Sequence, residues 1–174
     1  MTEASHVGDL VTRLALSHPE VSFRFINNGQ VKLHTSGNGN LKDVIYHIYG
    51  REIASNLIEV DFERKGIHIT GYLGKPLISR GNRNFENYFV DGRYIKSSII
   101  SKAIEDGYKD FTMQHKYPFV VLYLDVDTEH VDVNVHPTKM DVRFNNQQEI
   151  YNTLFAAVDD GLHERELIPE VTLD

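Results

Sequence analysis

The sequence predicts an α+β fold in which a mixed β-sheet is covered by helices. Segments with helical apolar spacing are interspersed with runs of strands, in the order α, hairpin, α, hairpin, strand, α, strand, strand, α. One strand, within residues 118–127, is apolar through most of its length, which is typical of a strand buried on both faces at the centre of a sheet. Together these patterns favour a single sheet with helices packed on it.

The first third of the chain predicts a helix, a hairpin and a second helix. The first helix runs from about residue 4 to 17 and ends before Pro19, because the residue before a proline is disfavoured in helices. Val7, Leu10, Val11 and Leu14 recur at helical spacing and make this helix amphipathic. Asn28-Gly29 predicts a hairpin turn, since both residues tolerate positive φ. Asn40 is a predicted N-cap, and Gly50 a predicted helix stop.

The remaining elements follow from alternating apolar residues and turn signals. The predicted strands are 58–63, 67–73, 85–90, 93–95, the one within 118–127, and 131–135, with a polar, flexible loop over 74–84. A helix capped by Ser97 or Ser98 has a predicted buried face of Ile100, Ala103, Ile104 and Tyr108. A last helix begins after Asn146, with Glu149 completing a capping box, and runs to about His163.

Length and composition indicate one globular domain in a reducing compartment. At 174 residues the chain is long enough to bury a core, and we expect a single domain over residues 1–168 with a loose tail over 169–174. The absence of cysteine excludes disulfides and thiolate metal sites. No apolar run reaches about 18 residues, and no signal peptide is evident, so we expect no membrane span and a cytoplasmic location.

The charge is unevenly distributed along the chain. The formal net charge of −7 argues against a general nucleic-acid binder. Residues 75–102, called here the basic stretch, nevertheless hold six basic and two acidic residues and carry a net charge of +4. Such a stretch either binds a phosphate backbone weakly, with strong salt dependence, or is simply a solvated loop and helix start.

The histidines and carboxylates do not form a recognisable metal or catalytic motif. None of the nine histidines pairs with another at the i, i+4 spacing of a helical zinc site. We therefore expect no metal. No catalytic constellation stands out from spacing, because triads are recognised by geometry.

The most informative stretch is residues 131–144. Val131, Val133 and Val135 alternate with polar residues, so the strand has one buried face and stops before Pro137. A second alternation begins after Met140, which leaves Lys139 in a short loop between two strands. The loop is either a polar turn with a solvated lysine or a means of presenting a cation to a phosphate outside this core.

Several motifs resemble the MutL family of DNA mismatch-repair ATPases. The string DVNVHPTKMDVRF at 132–144 is similar to the family signature, and NYFVDGRYI at 87–95 resembles its upstream strand and turn. RLALSHP at 13–19 and GNRN at 81–84 are similar as well. The resemblance implies the second, transducer domain of the N-terminal ATPase half. That domain shares its outline with the gyrase B transducer domain and with the second domain of a small-subunit ribosomal protein, including a left-handed βαβ crossover.

The resemblance also implies site residues. Lys139 is the catalytic candidate, since the family's lysine at this position reaches the γ-phosphate of ATP bound in the adjacent domain. Asn134, His136 and Pro137 would position its loop, although simple packing at the strand end remains an equal alternative. Four basic residues would line a DNA groove and contact the backbone without reading sequence: Arg80, Arg83, Arg93 and Lys96. Ser98 stands where some members have another basic residue, so we expect the DNA binding to be weak.

The implied parent protein is larger than this chain. ATP and magnesium would bind in an upstream ATPase domain of the GHKL type, so this chain alone is expected to have no cofactor and no activity. The implied partners are that domain, DNA and a mismatch-recognition protein of the MutS type, in a homodimeric parent associated with the nucleoid if bacterial. The alternative is a stand-alone nucleic-acid or protein-binding module of the same fold.

Overall fold

The structure, a computed structural model, describes residues 3–127, 131–132, 143–144 and 146–167. Contacts between Cα atoms divide the chain into two compact units, Met1–Leu57 and Ile58–Asp174. Each unit is described by itself below. The single domain expected over residues 1–168 stays a prediction, because compact units need not fold separately.

The first unit contains three helices and a hairpin. Its elements are α1 (Glu3–Ser17), β1 (Arg24–Asn27), β2 (Gln30–His34), α2 (Leu41–Tyr49) and α3 (Arg51–Ala54). The predicted hairpin turn is confirmed, with φ angles of 51° at Asn28 and 75° at Gly29. The predicted N-cap is confirmed too, since Asn40 Oδ1 accepts from the amide of Asp43 at 3.1 Å. Gly50 ends α2 as expected, at φ 92°, and the short α3 that follows was not predicted.

The first helix is confirmed with nearly the predicted bounds, and most of its apolar face is exposed. Val7, Leu10 and Leu14 are 42%, 55% and 40% exposed, whereas Ala15 and Leu16 are fully buried. The physical reason is that helical spacing places apolar side chains on one stripe without determining what covers that stripe. The first unit therefore presents an apolar stripe at its surface, formed by these three exposed side chains.

The second unit is built on a five-stranded mixed sheet. Its strands are β3 (Leu57–Arg64), β4 (Ile67–Gly74), β5 (Glu86–Val90), β6 (Arg93–Tyr94) and β7 (Val120–Val126), in the spatial order β3-β4-β7-β5-β6. The apolar strand predicted to be central is the middle strand, β7. It pairs antiparallel with β4, where Ile69 lies opposite Leu124, and parallel with β5, where Tyr88 lies opposite Leu122. The predicted α+β class with a mixed sheet is thus confirmed.

Two helices provide the other layer of the second unit. They are α4 (Ser98–Tyr108) and α5 (Gln147–Leu167), the latter extending beyond its predicted end near residue 163. Ser97 is the N-cap of α4, with its hydroxyl accepting from the amide of Ile100 at 3.3 Å. The predicted buried face of α4 is confirmed: Ile100, Ala103, Ile104 and Tyr108 are at most 1% exposed. Because β5 and β7 are parallel, α4 lies in the crossover between them; the left hand of that crossover stays a prediction.

Two close contacts of β4 hold the second unit together, one with α4 and one with β7. The buried Tyr108 hydroxyl donates to the carbonyl of Gly74 at 2.6 Å, which joins the last residue of α4 to the end of β4. Gly71 has a φ of 121°, and a Cβ at this position would lie 2.1 Å from the carbonyl oxygen of Val121. Only glycine fits there, since both the backbone conformation and the space exclude a side chain.

The first strand of the second unit exposes several carboxylates. β3 exposes Glu59, Asp61 and Glu63 at alternating positions. His68 on β4 bonds Asp61, with 2.6 Å between Nε2 and Oδ1, and this hydrogen bond raises the pKa of His68. A phosphate backbone would be repelled from this acidic strand. No helix among the described residues is long and apolar enough to cross a membrane.

Candidate nucleic-acid interface

The first arginine of the basic stretch is anchored through its backbone. The amide of Arg80 donates to the carbonyl of Tyr117, and the amide of Tyr117 donates back, both at 2.7 Å. Two short 3-10 helices, Pro76–Ile78 and Arg83–Phe85, flank this bridge. The segment was predicted to be a flexible loop, but local hydrogen bonds give it a defined path. Both arginines of the segment therefore project from fixed backbone.

Aromatic rings hold the two guanidinium groups. The Cζ atom of Arg80 lies 5.2 Å from the ring centroid of Phe85, and that of Arg83 lies 4.6 Å from the ring centroid of Tyr117. Stacking of this kind restrains the plane of a guanidinium and leaves its N–H edge available to an anion. The Nε of Arg80 is buried and has no hydrogen-bond partner within the described part of the chain.

A cavity of about 430 Å³ lies beside α4. Its lining residues are Arg83, Ser98, Ser101, Lys102, Glu105 and Asp106. Arg83 Nε bonds Glu105 Oε1 at 2.8 Å, and Lys102 Nζ bonds Asp106 Oδ2 at 2.9 Å. Each cation of the cavity already has a carboxylate partner. A phosphate must compete with these carboxylates, which favours weak and salt-sensitive binding.

The part of the basic stretch around Arg93 is fastened to the central strand through Asp91. The carboxylate of Asp91 accepts from the amide of Val126 at 3.0 Å, and the amide of Asp91 donates to the carbonyl of Leu124 at 2.9 Å. Asp91 and the glycine after it adopt φ angles of 49° and 82°, which make the predicted tight turn. Arg93 and Lys96 follow this turn and are exposed.

The start of α4, next to Lys96, is held by a buried phenol. The hydroxyl of Tyr88 donates to the carbonyl of Ser97 at 3.0 Å and accepts from the amide of Ser97 at 2.8 Å. The same hydroxyl lies 2.8 Å from the Ser101 hydroxyl. Lys96 is therefore carried on backbone that is fixed on one side by the Asp91 turn and on the other by this helix start.

One acidic residue of the basic stretch is buried. Glu86 is 7% exposed, and neither of its carboxyl oxygens has a hydrogen-bond partner among the residues that the structure describes. Its pKa is raised to about 8, mainly by burial and also by the nearby carboxylate of Glu105, while Arg83 opposes the shift. Glu86 is therefore mostly neutral at neutral pH. The basic stretch then carries about one more positive charge than its formal net of +4.

The signature segment lies mostly outside the described residues. Asn134, His136, Pro137 and Lys139 all fall in the undescribed range 133–142. Its two ends are described: β8 (Val131–Asp132) pairs antiparallel with β9 (Arg143–Phe144), with Val131 opposite Phe144. The residues on either side of the ten-residue segment, Asp132 and Arg143, therefore lie opposite each other. The described pairs fall within the strands predicted on either side of the Lys139 loop, while the rest of those predicted strands lies outside the described residues.

The described residues give no indication of a bound metal. Among them, no group of three or more histidine or acidic side chains could hold an ion. His68 and Asp61 form a pair only, and their hydrogen bond accounts for their proximity.

Comparison with known proteins defines the class. Residues 45–163 match the model of a family described as "DNA mismatch repair protein, C-terminal domain". Because this match covers more than half of the chain, the class is that of DNA mismatch-repair proteins. The chain is 59% identical to the DNA mismatch repair protein MutL of Agathobacter rectalis over 173 residues, which are 99% of this chain and 26% of that protein. It is also 43% identical to the MutL of Clostridium botulinum over 162 residues, 93% of this chain and 24% of that protein.

The chain belongs to the MutL family, as its motifs predict. It spans about a quarter of the length of these curated relatives. Solved structures agree on the fold. A structure titled as the N-terminal domain of a DNA repair protein superposes with a TM-score of 0.77 at 21% identity, covering 94% of this chain and 54% of that one. The Aquifex aeolicus MutL ATPase domain with a K252N mutation gives 0.59 at 16% identity, covering 90% and 51%.

Sequence reasoning missed Glu86, Glu105 and Tyr117 as parts of this site. Glu86 opens a run of five buried residues on β5, and an acidic residue beginning such a run was the available signal. The other two residues lie far along the chain from Arg83, on or after α4, so only the fold brings them together.

Proposed function

We propose that this chain couples nucleotide bound in an adjacent ATPase domain to DNA binding during mismatch repair. The observation that carries the proposal is the pairing of β8 with β9, which brings the two ends of the signature segment together. A loop anchored in this way can present Lys139 to the terminal phosphate of ATP, where its charge stabilises the transferring phosphoryl group. Asn134, His136 and Pro137 are proposed to position that lysine. Loss of the γ-phosphate would release the loop.

The apolar stripe of the first unit supports the adjacent domain as a partner. Val7, Leu10 and Leu14 expose large side chains along one side of α1, and Ile26 and Val31, opposite each other in the hairpin, are each 50% exposed. Exposed apolar stripes of this kind mark interfaces. In this proposal the ATPase domain covers the stripe, binds ATP and magnesium, and is the catalytic part, whereas this chain alone has no activity. This observation favours the transducer interpretation over a stand-alone nucleic-acid module, which needs no apolar partner surface.

The test restores the upstream ATPase domain and measures ATP hydrolysis with Lys139 and with Lys139→Ala. We expect a large loss of turnover, at least about tenfold, because one cation at a transferring phosphate contributes at least this much. Lys32→Ala is the matched control, since Lys32 is an exposed lysine of β2 whose ammonium bonds Gln30 at 2.9 Å. Unchanged turnover in Lys139→Ala, with the fold intact by circular dichroism, would exclude the γ-phosphate role.

The basic stretch supports DNA as the second ligand. Arg80 and Arg83 stack on aromatic rings, and Arg93 and Lys96 are exposed on fixed backbone. We propose that these four residues contact backbone phosphates without reading sequence. Binding is expected to be weak, since Arg83 already has a carboxylate partner.

DNA binding is tested through its salt dependence. The logarithm of affinity for duplex DNA should fall with the logarithm of salt concentration, and replacing Arg93 and Lys96 by Gln should reduce that slope by about one for each lost phosphate contact. An unchanged slope would exclude these residues from the interface. In the whole parent we further propose homodimerisation, cooperation with a MutS-type mismatch-recognition protein, and a location in the cytoplasm at the nucleoid.

A further inference from the structure

Glu86 lies close to a cation of the proposed DNA interface, and no hydrogen bond from the described residues stabilises its charged form. The residue is 7% exposed at the start of β5, and both carboxyl oxygens lack partners within the described residues. The charged groups that act on it are Arg83, which begins a 3-10 helix, and Glu105, which lies on α4. These two groups bond each other at 2.8 Å. Arg83 therefore forms an ion pair with Glu105 and also acts electrostatically on the buried carboxyl of Glu86.

The two phenols on which the charge of Glu86 acts are already hydrogen-bonded elsewhere. They are the phenols of Tyr88 and Tyr108. The hydroxyl of Tyr88 is bonded to Ser97, and that of Tyr108 donates to the carbonyl of Gly74. On the neighbouring β7, Glu86 lies opposite Val120, which has no polar side chain. Among the described groups, Arg83 is thus the one positive charge that favours the ionised form of Glu86.

We propose that Glu86 makes DNA binding proton-linked: when a backbone phosphate pairs with Arg83, Glu86 takes up a proton from solvent. The inference rests on the proposed DNA interface and adds a regulation to it. A phosphate beside Arg83 neutralises the cation that favours ionised Glu86 and brings a further negative charge close to it. Both effects favour the protonated carboxyl. Affinity for DNA therefore falls as the pH rises through the range in which free Glu86 loses its proton.

The size of the effect follows from linkage. If Glu86 titrates near pH 8 in the free chain and the bound phosphate raises that pKa by about one unit, affinity falls about threefold between about pH 6.5 and about pH 8.5. In Glu86→Gln the side chain is neutral at both pH values, so its affinity should change much less over the same interval. Because histidines also titrate in this range, the difference between wild type and Glu86→Gln is the quantity of interest.

The experiment measures binding of a fluorescent duplex DNA to the 174-residue chain at low ionic strength at both pH values. Lys96→Gln is the matched control, since it removes a proposed phosphate contact away from Glu86. It should weaken binding equally at both pH values. The ratio of the affinity at the lower pH to that at the higher pH, called here the pH ratio, should therefore be unchanged. Arg83→Gln should bind DNA more weakly, and its pH ratio should fall to that of Glu86→Gln. A Glu86→Gln variant with the pH ratio of wild type would overturn the proposal.

A second measurement separates this inference from the DNA interface itself. The Glu86 carboxyl carbon is titrated by NMR in wild type and in Arg83→Gln, without DNA. Loss of the arginine should raise the Glu86 pKa, and an unchanged titration would overturn the linkage whatever the DNA result. Absence of DNA binding at every pH would instead overturn the proposed interface, and with it the linkage. The NMR titration also covers the case in which Glu86→Gln does not fold.

Discussion

Replacing Glu86 by Gln should stabilise the protein at alkaline pH. The carboxyl is 7% exposed with no hydrogen-bond partner for either oxygen among the described residues, so ionising it in the folded state costs free energy. Glutamine has nearly the same shape and cannot ionise. The gain in the free energy of unfolding should therefore depend on pH, which distinguishes it from an ordinary packing effect.

The magnitude and the pH window follow from the pKa of Glu86. Burial raises this pKa from its ordinary value of 4.5 to about 8. Below about pH 4.5 the carboxyl is protonated in both the folded and the unfolded state and has no effect. As the pH rises towards 8, only the unfolded state releases the proton, so the stability of wild type falls; above 8 the loss is constant. A shift of about 3.5 units corresponds to at most about 5 kcal/mol, and we expect about 2–4 kcal/mol because local opening hydrates the group.

The assay is urea denaturation followed by circular dichroism at about pH 5 and about pH 9. The difference in the free energy of unfolding between Glu86→Gln and wild type should grow by about 2–4 kcal/mol from the lower to the higher pH. Glu59→Gln is the control, because Glu59 is exposed on β3 and its replacement should produce little change. Parallel stabilities of wild type and Glu86→Gln across this range would refute the reasoning.

Three further substitutions test the packing that positions the site, each by urea denaturation. Tyr108→Phe removes the hydroxyl that donates to the carbonyl of Gly74 at 2.6 Å and should cost about 1–3 kcal/mol; a cost near zero would mean that another donor takes its place. Gly71→Ala would bring a Cβ to 2.1 Å from the carbonyl oxygen of Val121 and should cost about 3 kcal/mol, and wild-type stability would contradict the close approach. Asp91→Ala removes the carboxylate that accepts from the last amide of β7, so we expect a loss of about 1–2 kcal/mol, which Asp91→Asn should partly restore.

Local signals in the sequence predicted most of the elements, because they depend on neighbouring residues. The turns at Asn28 and Asp91 and the caps at Asn40, Ser97 and Asn146 are each determined within about four residues. The predicted buried face was also correct for α4, which packs within its own unit. The sheet order was not predictable, since the pairing of β5 with β7 joins segments separated by a whole helix.

The candidate site was predicted only in part, for the same physical reason. Family motifs and charge identified Arg80, Arg83, Arg93 and Lys96 as cations. They did not identify the partner of Arg83, because Glu105 is 22 residues away and reaches it only when α4 packs on the sheet. Exposure of the α1 stripe was also unpredictable, since periodicity indicates which side chains share a face and not which surface covers them.

The neutral state of Glu86 has a consequence for how the native chain migrates in an electric field. Near pH 6 an ordinary glutamate is ionised, whereas Glu86 keeps its proton, so the folded chain is less negative than its composition of 25 acidic and 18 basic residues indicates. The raised pKa of His68 changes the native charge in the same direction. Isoelectric focusing should therefore place the native protein at a higher pH than the same chain in urea, where both groups regain their ordinary titration.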